Sequence, residues 1–159
     1  MDHQGERTHR KQDLASVARD LIDSNAYMTL ATADENGFPW ASPVWYAAEG
    51  YAHFYWVSSP EARHSRNVAA RPEVSIVIFD SQAPVGTGQG VYVSAIAEEL
   101  SGTELDRDIG VFSRRSQAHG AGGWTREDVT PRARHRLYRA IPSEHCVLRD
   151  KDRRTLVRV

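Results

Sequence analysis

The residues best suited to chemistry lie in one continuous passage, Phe54-Tyr55-Trp56-Val57-Ser58-Ser59-Pro60-Glu61-Ala62-Arg63-His64-Ser65-Arg66-Asn67. An aromatic strand end runs into two hydroxyls and then into a basic segment. A planar ring needs an apolar slot with a few backbone or hydroxyl partners, and a phosphate carried on it needs cationic donors farther along. The passage supplies both kinds. The same residues also suit a purely structural role, with Ser58 or Ser59 capping a helix and Arg63 and Arg66 on its wet face. Taken alone, the helix favours that structural account.

Other chemistries find less support. Gly86-Thr87-Gly88-Gln89-Gly90 leads into a strand, so it lacks the helix N-terminus that receives a pyrophosphate in a dinucleotide site. There is no G-K-[ST] loop and no G-x-S-x-G elbow, and His119, His135 and His145 lack zinc-ligand spacing, so no metal site is expected. With 20 Lys and Arg against 21 Asp and Glu the net charge is -1, which gives no bulk attraction to nucleic acid or to anionic membranes. From Arg107 onward arginines recur at 114, 115, 132, 134, 136, 153 and 154, a pattern read as a solvated surface paired with acids. One cysteine, Cys146, excludes an internal disulfide, which suits a reducing cytoplasm. No apolar run nears the roughly 20 residues that span a bilayer. Residues 1–12 are polar, and read as a flexible tail rather than a signal peptide.

The elements that must position the passage follow from periodicity. Leu14, Val17, Ala18, Leu21 and Ile22 mark one face of a helix over residues 13–22. Residues 27–33, 40–47 and 51–57 are β-rich runs separated by Asp34-Glu35-Asn36-Gly37 and Glu49-Gly50, which predicts a three-stranded antiparallel meander. Ser59-Pro60-Glu61 reads as a helix start, with the helix running over 60–70. Residues 74–79 form an apolar run expected to be buried on both faces, and in 90–100 Val91, Val93, Ala95 and Ala97 alternate against Tyr92, Ser94 and Ile96. Residues 103–117 read as helical, and 124–134 as either helix or loop. Residues 136–141 and 145–148 read as final strands around Pro142, with 155–159 as a further one. One domain over 1–159 is expected, mainly β (α+β): a six- to seven-stranded antiparallel split β-barrel with flanking helices.

Leu30-Ala31-Thr32 with Asn36-Gly37-Phe38-Pro39, then Ala41-Ser42-Pro43-Val44-Trp45, then the passage above, together resemble the pyridoxamine 5′-phosphate oxidase-like family over residues 26–99. The resemblance implies a homodimer with FMN between its subunits. It places Val57, Ser58, Arg63 and His64 on ring and phosphate, with Arg63 the main phosphate partner. It also implies cofactor contacts at Ser42, Pro43, Val44, Trp56, Asn67 and Gln89. Of the aromatic group Trp40, Trp45, Tyr46, Tyr55 and Trp56, part could stack near a flavin and part must fill the barrel, with core packing the expected role of most. His64 stands where the family's oxidases usually carry lysine, so this contact should depend on pH near neutrality. The tail Arg136-Leu137-Tyr138-Arg139-Ala140-Ile141-Pro142-Ser143-Glu144-His145-Cys146 lacks the Arg-x-His group with which those oxidases grip the substrate phosphate.

The expectation is an FMN-dependent oxidoreductase acting on a small-molecule redox substrate, with the flavin supplying the redox chemistry and no side chain named as catalytic. Two alternatives remain open: a deazaflavin reductase of the same fold, and a non-catalytic flavin- or haem-binding sensor or storage protein.

Overall fold

A computed structural model describes residues 13–149 and 153–159, so the tail expected at residues 1–12 lies outside the described residues. Helix α1 (Leu14–Ser24) buries Val17, Ala18 and Ile22, and the Asp13 carboxylate caps it by accepting from the Ala15 N–H at 3.2 Å. Strands β1 (Tyr27–Ala33) and β2 (Pro39–Trp45) form a hairpin. Its turn is tied by Asp34 Oδ1, which accepts from the Asn36 and Phe38 N–H groups at 2.9 Å, while Gly37 takes φ 83°.

Strands β3 (Ala47–Glu49) and β4 (His53–Ser58) form a second hairpin. Gly50 and Tyr51 both have positive φ, 53° and 56°, the left-handed pair that matches the twist of a tight hairpin. Then come α2 (Arg63–Ala70), β5 (Glu73–Phe79), β6 (Gly90–Glu99), α3 (Gly102–Ala118), a 3₁₀ turn (Arg126–Val129), β7 (Arg136–Arg149) and β8 (Arg153–Val157).

The sheet runs β2-β1-β5-β6-β7-β4-β3, every pair is antiparallel, and β8 lies off this path against β7. It curls into a mainly β half-barrel with three helices, the fold class expected from the strand patterns. Four local expectations need correction. The predicted meander is broken: β2 stops at Trp45 and the chain turns at Tyr46, so β2 and β3 lie at opposite ends of the sheet path. Tyr46 is fully buried and donates its hydroxyl to the Ile22 carbonyl at 2.5 Å, which pins that turn to α1. Helix α2 begins at Arg63, because Ser59 uses its hydroxyl and carbonyl on the Glu61 and Ala62 N–H groups and closes a separate turn. The last two predicted strands are one, with a bulge where Ser94 pairs Glu144 but Ala95 pairs Pro142. Finally, β5 is buried on one face only, with Val74, Ile76 and Ile78 inside and Ser75 and Phe79 exposed.

Two cores follow from the curl. Inside it, Met28, Leu30, Phe54, Trp56, Ile76, Ile78 and Val91 pack with the apolar face of α1. On the opposite face of β3, β4 and the first half of β7, Leu105, Ile109 and Phe112 of α3 cover Ala47, Tyr55 and Leu137. The rest of the outer face stays open. Pro43 lies opposite Thr29, Thr29 opposite Val77, Val77 opposite Tyr92, Tyr92 opposite Cys146, and Cys146 opposite Leu156. Tyr27, Phe79, Ile96, Ile141 and Leu156 are all exposed on this side.

The arginine-rich final third is only partly the solvated surface that its composition suggests. Arg139 is 5% exposed and donates to Asp108 at 3.0 Å, to Glu104 at 3.0 Å and to Glu98 at 2.5 Å, which fastens α3 to the sheet. Arg115 donates to the Asn25 carbonyl at 3.1 Å, a cation set at the C-terminus of α1.

Candidate functional site

Helix α2 lies across the β1–β2 hairpin through three residues spaced four apart. Arg63 holds its guanidinium carbon 4.4 Å from the centre of the Trp40 ring, Asn67 donates its amide to Thr32 Oγ1 at 2.9 Å, and Arg71 donates to the Glu35 carbonyl at 3.3 Å. Residues at this spacing share one helix face. That face is therefore set by the hairpin, and Thr32 and Trp40 are themselves cross-strand partners.

At the N-terminus of α2 the cap residue is Ala62, and among the described residues no side chain caps the first-turn N–H groups. Those donors carry the positive end of the helix dipole and suit an anion. Beside them, His64 Nε2 lies 2.8 Å from Ser58 Oγ, which brings the end of β4 against the first turn of α2. Burial pushes the His64 imidazole below the ordinary histidine value, so it is neutral near pH 7. Arg136 pairs with Ser58 in the β4–β7 ladder, but its guanidinium is already bonded to the Ala133, His135 and Pro131 carbonyls. The first turn of α2 thus has uncapped N–H groups, a guanidinium on its Trp40 side, and an imidazole with a hydroxyl on its Ser58 side. This donor set fits a phosphate monoester.

The remaining expected contacts are spread around this spot. Ser42 and Val44 are buried and face the barrel interior, so what they can offer a ligand is backbone. Pro43, between them, faces outward and borders a shallow hollow of about 280 Å³ with Tyr27, Thr29, Val77 and Phe79. Trp56 is fully buried and stacks on Tyr138 with centroids 5.6 Å apart, so it too offers only backbone. Val57 is half-buried against the α3 core, on the opposite face from Ser58. Asn67 is buried and committed to Thr32. Gln89 is half-buried at the Gly90 end of β6, beside Phe79, whereas α2 runs into the Glu73–Ile96 end of the same strand pair. One chain does not bring Gln89 to Arg63.

Most of the aromatic group packs in a core, as expected, but not all inside the barrel: Tyr46 and Trp56 are fully buried there, whereas Tyr55 is buried under α3 and Trp45 packs edge-on against Phe112 of that helix. Trp40 is the exception at 41% exposed. Its contact with Arg63 and the Asn67–Thr32 bond were not predicted. The pairs are 23 and 35 residues apart, so no local period could have signalled them.

Among the described residues no helix is long and apolar enough to cross a membrane. No curated protein matches this chain significantly in sequence. Solved structures share the fold. A heme binding protein from Mycobacterium smegmatis superposes with TM-score 0.71 at 24% identity, over 90% of this chain and 57% of that one, so this chain spans little more than half of its length. An F420 reductase superposes with TM-score 0.59 at 20% identity, over 80% of this chain and 94% of that one. A FAD-binding protein from Mesorhizobium loti superposes with TM-score 0.60 at 25% identity, over 84% and 92% respectively. In sequence, the family model described as pyridoxamine 5′-phosphate oxidase matches residues 14–144, which include α2, β4 and the β1–β2 hairpin. By that match, and by the split-barrel topology that goes with it, the chain belongs to the pyridoxamine 5′-phosphate oxidase family.

Proposed function

We propose that this chain binds FMN and acts as a flavin-dependent oxidoreductase on a small-molecule substrate, as a homodimer in the cytoplasm. The observation that carries the reading is the uncapped first turn of α2, flanked by Arg63 on Trp40 and by His64 on Ser58, in a chain of this family. The phosphate would be held by the Arg63 guanidinium and the α2 N–H groups, with Ser58 and His64 as further partners. The ring would be bordered by the backbone of Ser42, Pro43 and Val44. A flavin supplies hydride and single-electron chemistry when bound. The chain's own part is to bind the phosphate, orient the ring and keep water from it. The similarity to a FAD-binding protein supports a flavin as the ligand.

The homodimer rests on the open outer face. Five large apolar side chains, Tyr27, Phe79, Ile96, Ile141 and Leu156, lie exposed on one side of the sheet, which is unusual for a surface that stays in water. Gln89 could join the cofactor contacts only from a second copy.

Two further readings have support. The similarity to an F420 reductase favours a deazaflavin, which also carries phosphate and would use the same cradle. The similarity to a heme binding protein favours a binding or storage role without turnover. The visible band of the purified protein separates flavin, deazaflavin and haem, and turnover of bound reduced cofactor measured against free FMN separates enzyme from store. Arg63→Ala should weaken FMN binding by about 1.5 to 3 kcal/mol, the range for a lost charge-assisted bond. Unchanged affinity would remove Arg63 from the site, and a colourless protein that takes up neither FMN nor a deazaflavin would end the flavin reading.

A further inference from the structure

The geometry points to Trp40 as a positioning residue for Arg63: its ring orders the guanidinium at the mouth of the α2 cradle and makes the site selective for a phosphorylated ligand. This inference rests on the anion-cradle reading of that site.

Arg63 is exposed, and a free arginine at a helix start samples many rotamers. Here it lies on the Trp40 ring, 4.4 Å from centroid to guanidinium carbon. The guanidinium carbon sits over the ring, and among the described residues the Arg63 side chain donates no hydrogen bond, so its N–H groups remain to grip phosphate through paired bonds. Among the described residues no carboxylate forms an ion pair with Arg63, so nothing competes for those donors.

Trp40 is in turn held in place. It pairs across the hairpin with Thr32, whose hydroxyl donates to the Trp40 carbonyl at 3.4 Å and accepts from Asn67, one helical turn beyond Arg63. The ring and the helix face it supports are therefore fixed to the same strand pair. An uncharged ring without phosphate gains nothing from an ordered Arg63, so the contact acts on selectivity for the phosphorylated ligand.

Two measurements on the full chain test this. The first needs no cofactor: the Arg63 Nε–Hε resonance should be ring-shifted and ordered in the wild type, averaged in Trp40→Ala and largely restored in Trp40→Phe. The second titrates FMN and riboflavin into wild type, Trp40→Ala, Trp40→Phe, Arg63→Ala and the Trp40→Ala/Arg63→Ala double variant. Trp40→Ala should weaken FMN binding about fivefold, the scale of an exposed cation–π contact, with riboflavin unchanged and Trp40→Phe recovering most of the loss. The double variant should bind FMN no worse than Arg63→Ala alone. Equal losses for FMN and riboflavin, full additivity in the double variant, or an Arg63 resonance indifferent to Trp40 would each overturn the inference. A wild type that takes up no FMN while Arg63 is ordered by Trp40 would instead refute the flavin reading and leave the positioning role standing.

Discussion

Replacing Arg139 by Met removes the cation at the centre of the interface between α3 and the sheet while keeping much of the side-chain volume. Arg139 donates to three carboxylates, and these are not equivalent. The Glu98 and Glu104 side chains are 45% and 50% exposed, so each of their pairs is screened by water and contributes only about 0 to 1 kcal/mol. The Asp108 side chain is 2% exposed and cannot regain water without moving α3. Burial works to raise the Asp108 carboxyl, but bonds and charge from Arg107, with bonds from Tyr55 and Arg139, outweigh it and hold the group below its ordinary range. Breaking a buried pair by removing one partner costs about 3 to 5 kcal/mol, and because Arg107 still bonds Asp108 at 2.5 Å the lower end applies. Arg139→Met should therefore lose about 3 kcal/mol in urea unfolding and about 6 to 12 °C in Tm. Adding Asp108→Asn should restore part of the loss by removing the stranded charge. In the wild type, a depressed Asp108 stabilises the fold above its unfolded pKa, and that stability is lost as pH falls through the folded value. In Arg139→Met the carboxyl rises, so the gap to wild type should narrow in acid. A loss below about 1 kcal/mol, or a double variant no better than the single one, would show that Asp108 is not the buried charge on which this reasoning depends.

His64 should make anion binding pH-dependent. Its folded value lies below the ordinary 6.5 through burial, and a neighbouring phosphate favours the imidazolium. Binding then takes up a proton, so FMN affinity should fall as pH rises from the free to the bound value, and His64→Lys should flatten the profile in calorimetric titrations from about pH 5.5 to 8. Because the phosphate's own ionisation at about pH 6 acts in the opposite sense, the comparison is with the variant: the same profile in wild type and His64→Lys would exclude His64 as a phosphate partner. The open outer face makes a second demand. Phe79, 49% exposed, lies on it, so Phe79→Asp should shift a dimer toward the 17.8 kDa monomer in sedimentation. A monomeric wild type, or a variant that remains fully dimeric, would rule out this face as the dimer contact.

Several features were legible in the chain itself. Period-3.6 spacing marked α1, alternation marked β6 with Val91, Val93, Ala95 and Ala97 inside, and the passage after β4 marked the helix α2 and its end near Ala70, though not its start. These are local properties, because one residue's neighbours along the chain decide which way its side chain points. The tertiary structure decided what each face meets. The apolar run 74–79 alternates between core and solvent because the curled sheet has a helix on only part of its outer side. Ser42 and Val44 are sealed inside while Pro43 between them faces out, and Trp56 becomes core though it adjoins Val57 and Ser58. The contact of Trp40 with Arg63 and the bond from Asn67 to Thr32 join residues far apart in sequence. Such pairs exist only once the hairpin has folded under the helix, since it is the closure of the sheet that brings strand ends to a common point.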